Sequence, residues 1–283
     1  MRLLAGLAAL ALAVLGATGR AEGADEPSLA LALGGPARRF TASELLARPD
    51  AAELSVPADA AYRRAAAFRA VPLLALLAEL ASPDDRADTL EAHALDGFTA
   101  QIPLALVRAG ATGGAVAWVA VEPPGRPWPA MPGKPDGAGP FYLVWEHPER
   151  SGVAITQWPY RLAELSAVES PAHRWPRLAV DPSLPSDAPA RHGLEVFATT
   201  CLPCHRLDGA GAGEMGPDLG RPLHATEYLT ERGLRALVRD PKSVRTWPMQ
   251  QMPGFDADAL PGPDLDALVA YLRHTAGRRE AGR

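Results

Sequence analysis

The sequence predicts a multi-domain protein with an N-terminal α+β domain followed by an all-α domain. Residues 28–166 mix short apolar runs of strand length with helical apolar stripes, whereas apolar residues recur at helical spacing in residues 187–283. The intervening residues 167–186 contain four prolines, which block the hydrogen bonding of helices and strands, so an extended linker is expected there. The chain has 283 residues and is 47% hydrophobic, which is sufficient for two packed cores.

Residues 1–21 predict a signal peptide. Met1-Arg2 is followed by an apolar run from Leu3 to Leu15, which is 13 residues long. A helix needs about 20 apolar residues to cross a bilayer core, so this run is typical of a secretion signal instead. We therefore expect an exported, soluble, periplasmic protein that contacts a membrane only if the leader stays uncleaved.

Local signals place the first elements of the α+β domain. The apolar run 29–33 ends at the Gly-Gly-Pro turn 34–36. Thr41 and Glu44 match a capping box, which predicts a short helix beginning after Thr41. Leucines at helical spacing predict a second helix within residues 71–80.

A hairpin is predicted further along the domain. Asp96-Gly97 is a turn signal between the apolar run 90–95 and residues 98–102, which indicates two antiparallel strands. Residues 122–140, rich in proline and glycine, predict a long irregular loop. Further strands are expected at residues 115–121 and 141–145.

The all-α domain shows three helical patterns. Each places apolar residues on one face at spacings of three and four. The patterns comprise Gly193, Val196, Phe197 and Thr200; Leu234, Leu237 and Val238; and Leu265, Leu268, Val269 and Leu272.

The chemistry-bearing motif is Cys201-Leu202-Pro203-Cys204-His205, which contains both cysteines of the chain. Two thiols at this spacing can each add to one vinyl group of a haem, and the adjacent imidazole can then reach the iron. The motif therefore predicts one covalently bound haem c, with Cys201 and Cys204 as attachment points and His205 as an iron ligand.

Three other interpretations of the cysteine pair are weaker. A thioredoxin-like redox pair would begin a helix, whereas this pair follows a predicted helix. A zinc site needs four ligands, and the sequence has no second Cys-x-x-Cys motif or paired histidines to supply them. A disulfide across two residues is geometrically tight and would constrain very little of the chain.

A methionine is expected as the second axial ligand, because haem iron usually takes a second axial ligand and His/Met ligation raises the reduction potential. Met131 lies in the other domain, and Met215 follows His205 by only ten residues, so its loop would have to wrap tightly around the haem. Met252 stands in a proline-flanked loop just before the last helix and is the predicted ligand. Met249 is one alternative, and an iron with no methionine ligand is another.

Two histidines are further alternatives for the second axial position. His192 precedes the cysteine motif, and His224 follows it. We expect both at the protein surface rather than at the iron.

The second domain resembles a class I monohaem cytochrome c domain. The resemblance rests on the cysteine motif, on Gly193 with Phe197 before it, on Gly216-Pro217-Asp218-Leu219, on Met252-Pro253-Gly254-Phe255 and on Leu268-Val269-Ala270-Tyr271-Leu272. It implies thioether links at Cys201 and Cys204, His205 as proximal ligand and Met252 as distal ligand. It also implies that the Pro217 carbonyl orients the proximal imidazole, and that the first and last helices cross closely.

The first domain is similar to the molybdopterin-binding domain of the sulfite oxidase family. Short motifs carry this resemblance in order along the chain, among them Asp96-Gly97-Phe98, Ile102-Pro103-Leu104 and Gly139-Pro140-Phe141-Tyr142-Leu143-Val144. Enzymes of that family bind molybdenum through a cysteine thiolate, and this segment contains no cysteine. The resemblance therefore implies the fold without the metal.

We expect an exported electron carrier rather than an enzyme, and we assign no catalytic residue. Its partners would be redox proteins, with the first domain serving for docking or as a scaffold. A net charge of −5 argues against nucleic-acid binding. One alternative is the haem-containing subunit or domain of a periplasmic oxidoreductase with a substrate site in the N-terminal domain. The other is a sensor whose haem takes up a small ligand.

Overall fold

A computed structural model describes residues 26–80 and 86–281, without the side chains of residues 279–281. The predicted signal peptide lies outside the described residues. In chain order the N-terminal domain contains β1 (Ser28–Ala32), β2 (Arg38–Thr41), α1 (Ala42–Leu46), β3 (Ala52–Val56), β4 (Ala66–Pro72), α2 (Leu73–Glu79), β5 (Thr89–Ala94), β6 (Thr99–Pro103), α3 (Leu104–Ala109), β7 (Val116–Val121), β8 (Phe141–Glu146) and β9 (Leu162–Val168).

The remaining helices follow the last strand. They are α4 (Pro171–Arg174), α5 (Pro189–Thr200), α6 (Ala225–Tyr228), α7 (Glu231–Arg239), α8 (Pro241–Val244) and α9 (Gly262–Ala281). No helix in the described part of the chain is long and apolar enough to cross a membrane. In the described residues, a region of mixed strands and helices is followed by a region of helices, in the order that the sequence predicted.

The N-terminal strands form two sheets. One has the order β2-β1-β9-β5-β6, and the other has the order β3-β4-β7-β8. The pair β1–β9 is parallel, and every other pair is antiparallel. Apolar side chains from both sheets and from α1, α2 and α3 form one buried cluster, with Trp145 and Tyr142 as its largest fully buried members. In the first strand order β6 is an edge strand, and its free edge faces the cysteine motif described below.

Several local predictions are confirmed. In α1, the Glu44 amide donates to Thr41 Oγ1 at 3.1 Å and the Thr41 amide donates to Glu44 Oε2 at 2.7 Å, which completes the capping box. Strands β5 and β6 pair antiparallel around Asp96-Gly97, where Gly97 has a φ of +88°. Such a φ suits glycine because it carries no Cβ.

The sequence missed β2, β3, β4, β9 and α3. Strand β3 contains one alanine, β4 three and β9 two, and the β-branched and aromatic residues that usually signal strands are few in all three. These segments become strands because each pairs with at least one neighbouring strand in the assembled sheet. Their conformation is set by tertiary pairing more than by local preference.

The predicted linker 167–186 differs from an extended, free segment. Its first residues complete β9, and four more form α4. Leu178 is fully buried in the helical core, and its carbonyl accepts a hydrogen bond from the Tyr271 hydroxyl at 2.8 Å. The Arg191 guanidinium also donates to the carbonyl of Leu184 at 2.5 Å. Proline prevents regular hydrogen bonding here, but the free carbonyls bind side chains of the helical domain instead.

Helices α5 and α9 cross closely, as the resemblance implied. A Cβ placed on Gly193 would overlap the backbone carbonyl of Ala267 and would lie 2.6 Å from the Tyr271 Cβ. The Phe197 and Tyr271 rings pack next to this point with centroids 5.3 Å apart. Only glycine at position 193 permits this approach of the two backbones.

A buried ionic network supports the β5–β6 hairpin. The Glu91 carboxylate is 7% exposed and accepts hydrogen bonds from Arg174 of α4 and, at 2.8 Å, from the Gln101 amide. His93 Nε2 lies 3.0 Å from the same carboxylate. Burial alone would raise the pKa of Glu91, but the hydrogen bonds from His93, Arg174 and Gln101 outweigh it and hold the pKa at about 2.

We predict that Arg174→Met lowers the free energy of unfolding by about 3 kcal/mol, because it leaves the Glu91 charge buried with fewer partners. Urea denaturation of the full chain measures this loss. The matched control is Asp136→Asn, which removes the exposed ion pair with Arg161 and should cost at most about 1 kcal/mol. Equal losses in the two variants would contradict the importance of the buried pair.

The same network predicts a pH dependence of stability. Since folding depresses the pKa of Glu91, its contribution is fully present above the unfolded pKa of about 4.3 and is lost as the pH falls toward 2. Urea midpoints measured from neutral to acidic pH should therefore fall less steeply in Arg174→Met than in the wild type. An unchanged slope in this variant would show that other carboxylates govern the acid transition.

Candidate haem-attachment site

The two cysteines lie in a tight turn that directly follows α5. The helix ends at Thr200, and the Cys201 amide still donates to the Phe197 carbonyl at 2.9 Å. The Cys201 carbonyl then accepts from the amides of Cys204 at 3.1 Å and His205 at 2.9 Å. Both thiols are free. A pair at the end of a helix differs from a thioredoxin-like pair, which begins one.

His205 is fixed in one orientation. Its Nδ1 donates to the Pro217 carbonyl at 2.8 Å, because a carbonyl oxygen can only accept. The imidazole is 9% exposed, and burial lowers the pKa of His205 although the bond to Pro217 opposes this shift. The ring is therefore neutral, with the lone pair of Nε2 available to a metal.

Gly216 forms the floor under the imidazole. A Cβ at this position would lie 2.5 Å from His205 Nδ1. The Gly216 amide also donates to the Cys204 carbonyl at 2.7 Å, which ties the loop to the cysteine turn. The absence of a side chain at Gly216 is what lets the Pro217 carbonyl reach the ring.

Asp218 is a supporting residue that sequence reasoning quoted but gave no role. Its Oδ1 accepts from the amides of Asp208 at 2.9 Å and Gly220 at 2.8 Å, and its Oδ2 accepts from the Gly209 amide at 2.6 Å. Three backbone bonds to one carboxylate fix the loop that carries Pro217. The available signal was the Gly-Pro-Asp-Leu string, in which aspartate is a typical loop-bracing residue.

The environment keeps both thiols protonated. Burial, with a smaller effect of Cys204, raises the pKa of Cys201 to about 12. Burial and the Asp96 carboxylate raise the pKa of Cys204 to about 11, while Lys134 opposes this shift. A thiol-based redox or nucleophilic centre needs a lowered thiol pKa, so these cysteines do not fit that chemistry.

The methionines occupy different environments. Met252 is half-buried in the loop between α8 and α9, whereas Met249 in the same loop is 75% exposed. Met131 is buried in the N-terminal core. The Met215 sulfur lies 3.9 Å from Cys204 Sγ, so it contacts a predicted attachment residue. The structure thus brings Cys201, Cys204, His205 and Pro217 together, while Met252 comes from a separate loop and stays a predicted ligand.

The two alternative histidines have other contacts. His192 is exposed as expected, with Nε2 2.8 Å from Asp264 Oδ1. The expectation of a surface position is wrong for His224, which is fully buried. Its Nδ1 lies 2.9 Å from Thr226 Oγ1 and its Nε2 lies 3.2 Å from Thr275 Oγ1, so hydroxyl partners on α6 and α9 explain its burial.

The residues present fit a covalently attached haem. The donor set consists of two protonated thiols and a neutral imidazole, and the glycine floor leaves the ring one fixed position. Leu202 in the turn and Leu207 just after it belong to the buried helical core, so the attachment turn is bordered by apolar side chains.

An all-α region with this turn and this fixed imidazole fits a domain that holds a covalently attached haem. Residues 190–276 match the Cytochrome c family model, and this part of the chain is a cytochrome c domain. The domain implies covalent haem c with iron and haem-based electron transfer. No curated protein matches this chain. The match does not extend to the N-terminal domain, whose resemblance to the sulfite oxidase family stays a prediction.

We predict that Gly216→Ala disrupts the proximal side of the haem, because its methyl group would overlap the His205 ring. The visible spectrum of the purified protein should change from six-coordinate, low-spin to mixed or high-spin iron. Gly262→Ala is the matched control, since nothing lies within 4 Å of a Cβ at that position. A wild-type spectrum for Gly216→Ala would contradict the role of the glycine floor.

Proposed function

We propose that this protein is an exported, periplasmic carrier of single electrons with one covalently bound haem c. The observation that carries the proposal is the fixed His205 ring, held by Pro217 beside two free thiols in a single turn. The cytochrome c match over residues 190–276 supports the same chemistry. Cell fractionation with a periplasmic marker enzyme tests export, and recovery only in the cytoplasm contradicts it.

Each residue of the site has a defined task. Cys201 and Cys204 would hold the haem through thioether links, since addition of an S–H group to a vinyl group needs no leaving group. His205 would offer Nε2 to the iron, and the Pro217 carbonyl fixes its tautomer. Met252 would supply a sulfur as the second protein ligand. The bound haem would cycle between ferric and ferrous iron.

The choice of Met252 over Met249 rests on burial and rigidity. A ligating sulfur must be held in place and shielded from water, and Met249 is 75% exposed. Met252 is half-buried and precedes Pro253, Gly254 and the buried Phe255, whose amide donates to the Val238 carbonyl at 3.0 Å. The bond from Phe255 anchors the loop to α7 three residues after Met252.

We further propose that the N-terminal domain is a scaffold or docking module with the fold of the sulfite oxidase molybdopterin domain. The quoted motifs support this, since Asp96-Gly97-Phe98 forms the β5–β6 turn and Phe141 begins β8. Residues 28–166 contain no cysteine to ligate molybdenum. Metal analysis of the purified protein tests this proposal, and stoichiometric molybdenum would favour the alternative of a catalytic oxidoreductase.

We predict that Met252→Ala abolishes the weak far-red absorption band that marks a Met-sulfur-to-iron bond in the ferric protein, whereas Met249→Ala retains it. The spectra are recorded on the full chain, purified from a host that attaches haem c. Loss of the band in Met249→Ala alone would reassign the distal ligand.

A high-spin wild-type spectrum without that band would overturn the electron-carrier proposal. Rapid carbon monoxide binding by the ferrous wild-type protein would then indicate an open iron site and favour the sensor or the catalytic alternative.

A further inference from the structure

Strand β6 is the edge of its sheet, and the cytochrome c domain covers it next to the haem-attachment turn. Thr99 pairs with His93 of β5, yet its amide donates to the Pro203 carbonyl at 2.9 Å, inside the cysteine motif. Two residues along, the Gln101 carbonyl accepts from the Gln157 side-chain amide at 3.4 Å. Two backbone groups of the kind that attract other chains to a sheet edge are thus satisfied within the molecule.

The turn of the same hairpin lies close to the loop after the motif. A Cβ added to Gly97 would lie 3.7 Å from the Glu214 Cβ, so little space separates the turn from this loop. Glu214 is itself paired with Arg206 at 2.8 Å. The hairpin therefore contacts the cytochrome c domain at Pro203 and lies near it at Glu214.

Two charged side chains of the N-terminal domain lie beside its contact with the cysteine motif. Asp96 is in the hairpin turn, three residues before Thr99, whose amide donates to the Pro203 carbonyl. Lys134 packs on Tyr160, and the carbonyl of the next residue, Arg161, accepts from the Leu95 amide of the same hairpin at 2.9 Å. In agreement with these positions, besides burial, Asp96 raises the pKa of Cys204 and Lys134 lowers it.

The Lys134 ammonium is held over the Tyr160 ring, 4.5 Å from its centroid. The Asp96 carboxylate is held by the Phe98 amide, which donates to its Oδ1 at 3.2 Å. Each charge thus has a defined position.

We propose that the N-terminal domain tunes the reduction potential of the haem, through Asp96 and Lys134 acting at the attachment edge beside Cys204. This inference rests on the proposed attachment of haem to that cysteine. Oxidation adds a positive charge at the iron, so a nearby carboxylate stabilises the ferric state and a nearby ammonium destabilises it. Asp96 lowers the potential, and Lys134 raises it.

The hairpin is firmly supported in this position. Its strands carry the buried Glu91 network, and Arg174 in that network belongs to α4, which leads into the helical domain. A charge on a supported turn keeps its position beside Cys204, whereas a charge on a free loop is averaged over many positions. Asp96 is held in this way by the hairpin, and Lys134 is held by its contact with the Tyr160 ring.

The test is a potentiometric titration of the full chain with haem attached. Asp96→Asn should raise the midpoint potential, and Lys134→Gln should lower it. The asparagine oxygen can still accept from the Phe98 amide, so the turn is preserved. The matched control is Glu53→Gln, an exposed carboxylate on β3 of the other sheet, which should leave the potential unchanged. Both shifts should shrink in high salt.

Three results separate the possible outcomes. Absence of covalent haem in the wild type, measured by mass spectrometry, overturns the proposed function itself. Covalent haem with equal potentials in Asp96→Asn, Lys134→Gln and the wild type overturns only this inference. Equal shifts in Asp96→Asn and Glu53→Gln also overturn it, because they would reflect total charge instead of position.

Amide hydrogen exchange tests the contact on which the inference depends. The Thr99 amide should be protected, since Pro203 accepts its hydrogen bond across the domain boundary. Exchange of this amide at the rate of an unpaired edge amide would show that the domains separate in solution. That result would overturn the inference even if haem is attached.

Discussion

The close crossing of α5 and α9 at Gly193 is the constraint on which the second domain depends. Because Gly193 has no side chain, the backbones meet and α5 is fixed along its length, including its end at Thr200. The cysteine turn begins at that end, so the crossing also places Cys201. Tyr271 of α9 packs on Phe197 and binds the Leu178 carbonyl, which brings the proline-rich segment onto the same core.

Burial determines the protonation states of Cys201, Cys204 and His205 in the cysteine turn. It raises the pKa of both thiols and lowers the pKa of His205, so the three groups are neutral together. A neutral imidazole can ligate a metal, whereas an imidazolium cannot. The Pro217 carbonyl then selects which nitrogen remains available, and the three backbone bonds of Asp218 hold that carbonyl's loop.

Local sequence patterns predicted the elements that depend on residues close together in the chain. The capping box at Thr41 and the Asp96-Gly97 turn depend only on neighbouring residues, and both are confirmed. The cysteine motif is equally local and forms a turn after α5, while its role in attaching haem stays a prediction. Strand β4 was missed because pairing with β3 and β7, not its alanine-rich sequence, makes it a strand. The burial of His224 was missed for the same reason, since its Thr275 partner lies 51 residues away on α9.

The contact between the two domains could not be predicted from the sequence either, because Thr99 and Pro203 are far apart in the chain. This contact satisfies a polar group on each side. An isolated N-terminal domain would leave the Thr99 amide on an open sheet edge, which is a site for unwanted pairing. The Pro203 carbonyl belongs to a turn, outside the regular hydrogen bonding of α5, and can accept a donor from elsewhere. The single bond between them satisfies both groups. Because Pro203 lies between the two cysteines, the residue that binds the Thr99 amide at the sheet edge also fixes the N-terminal domain beside the cysteine turn.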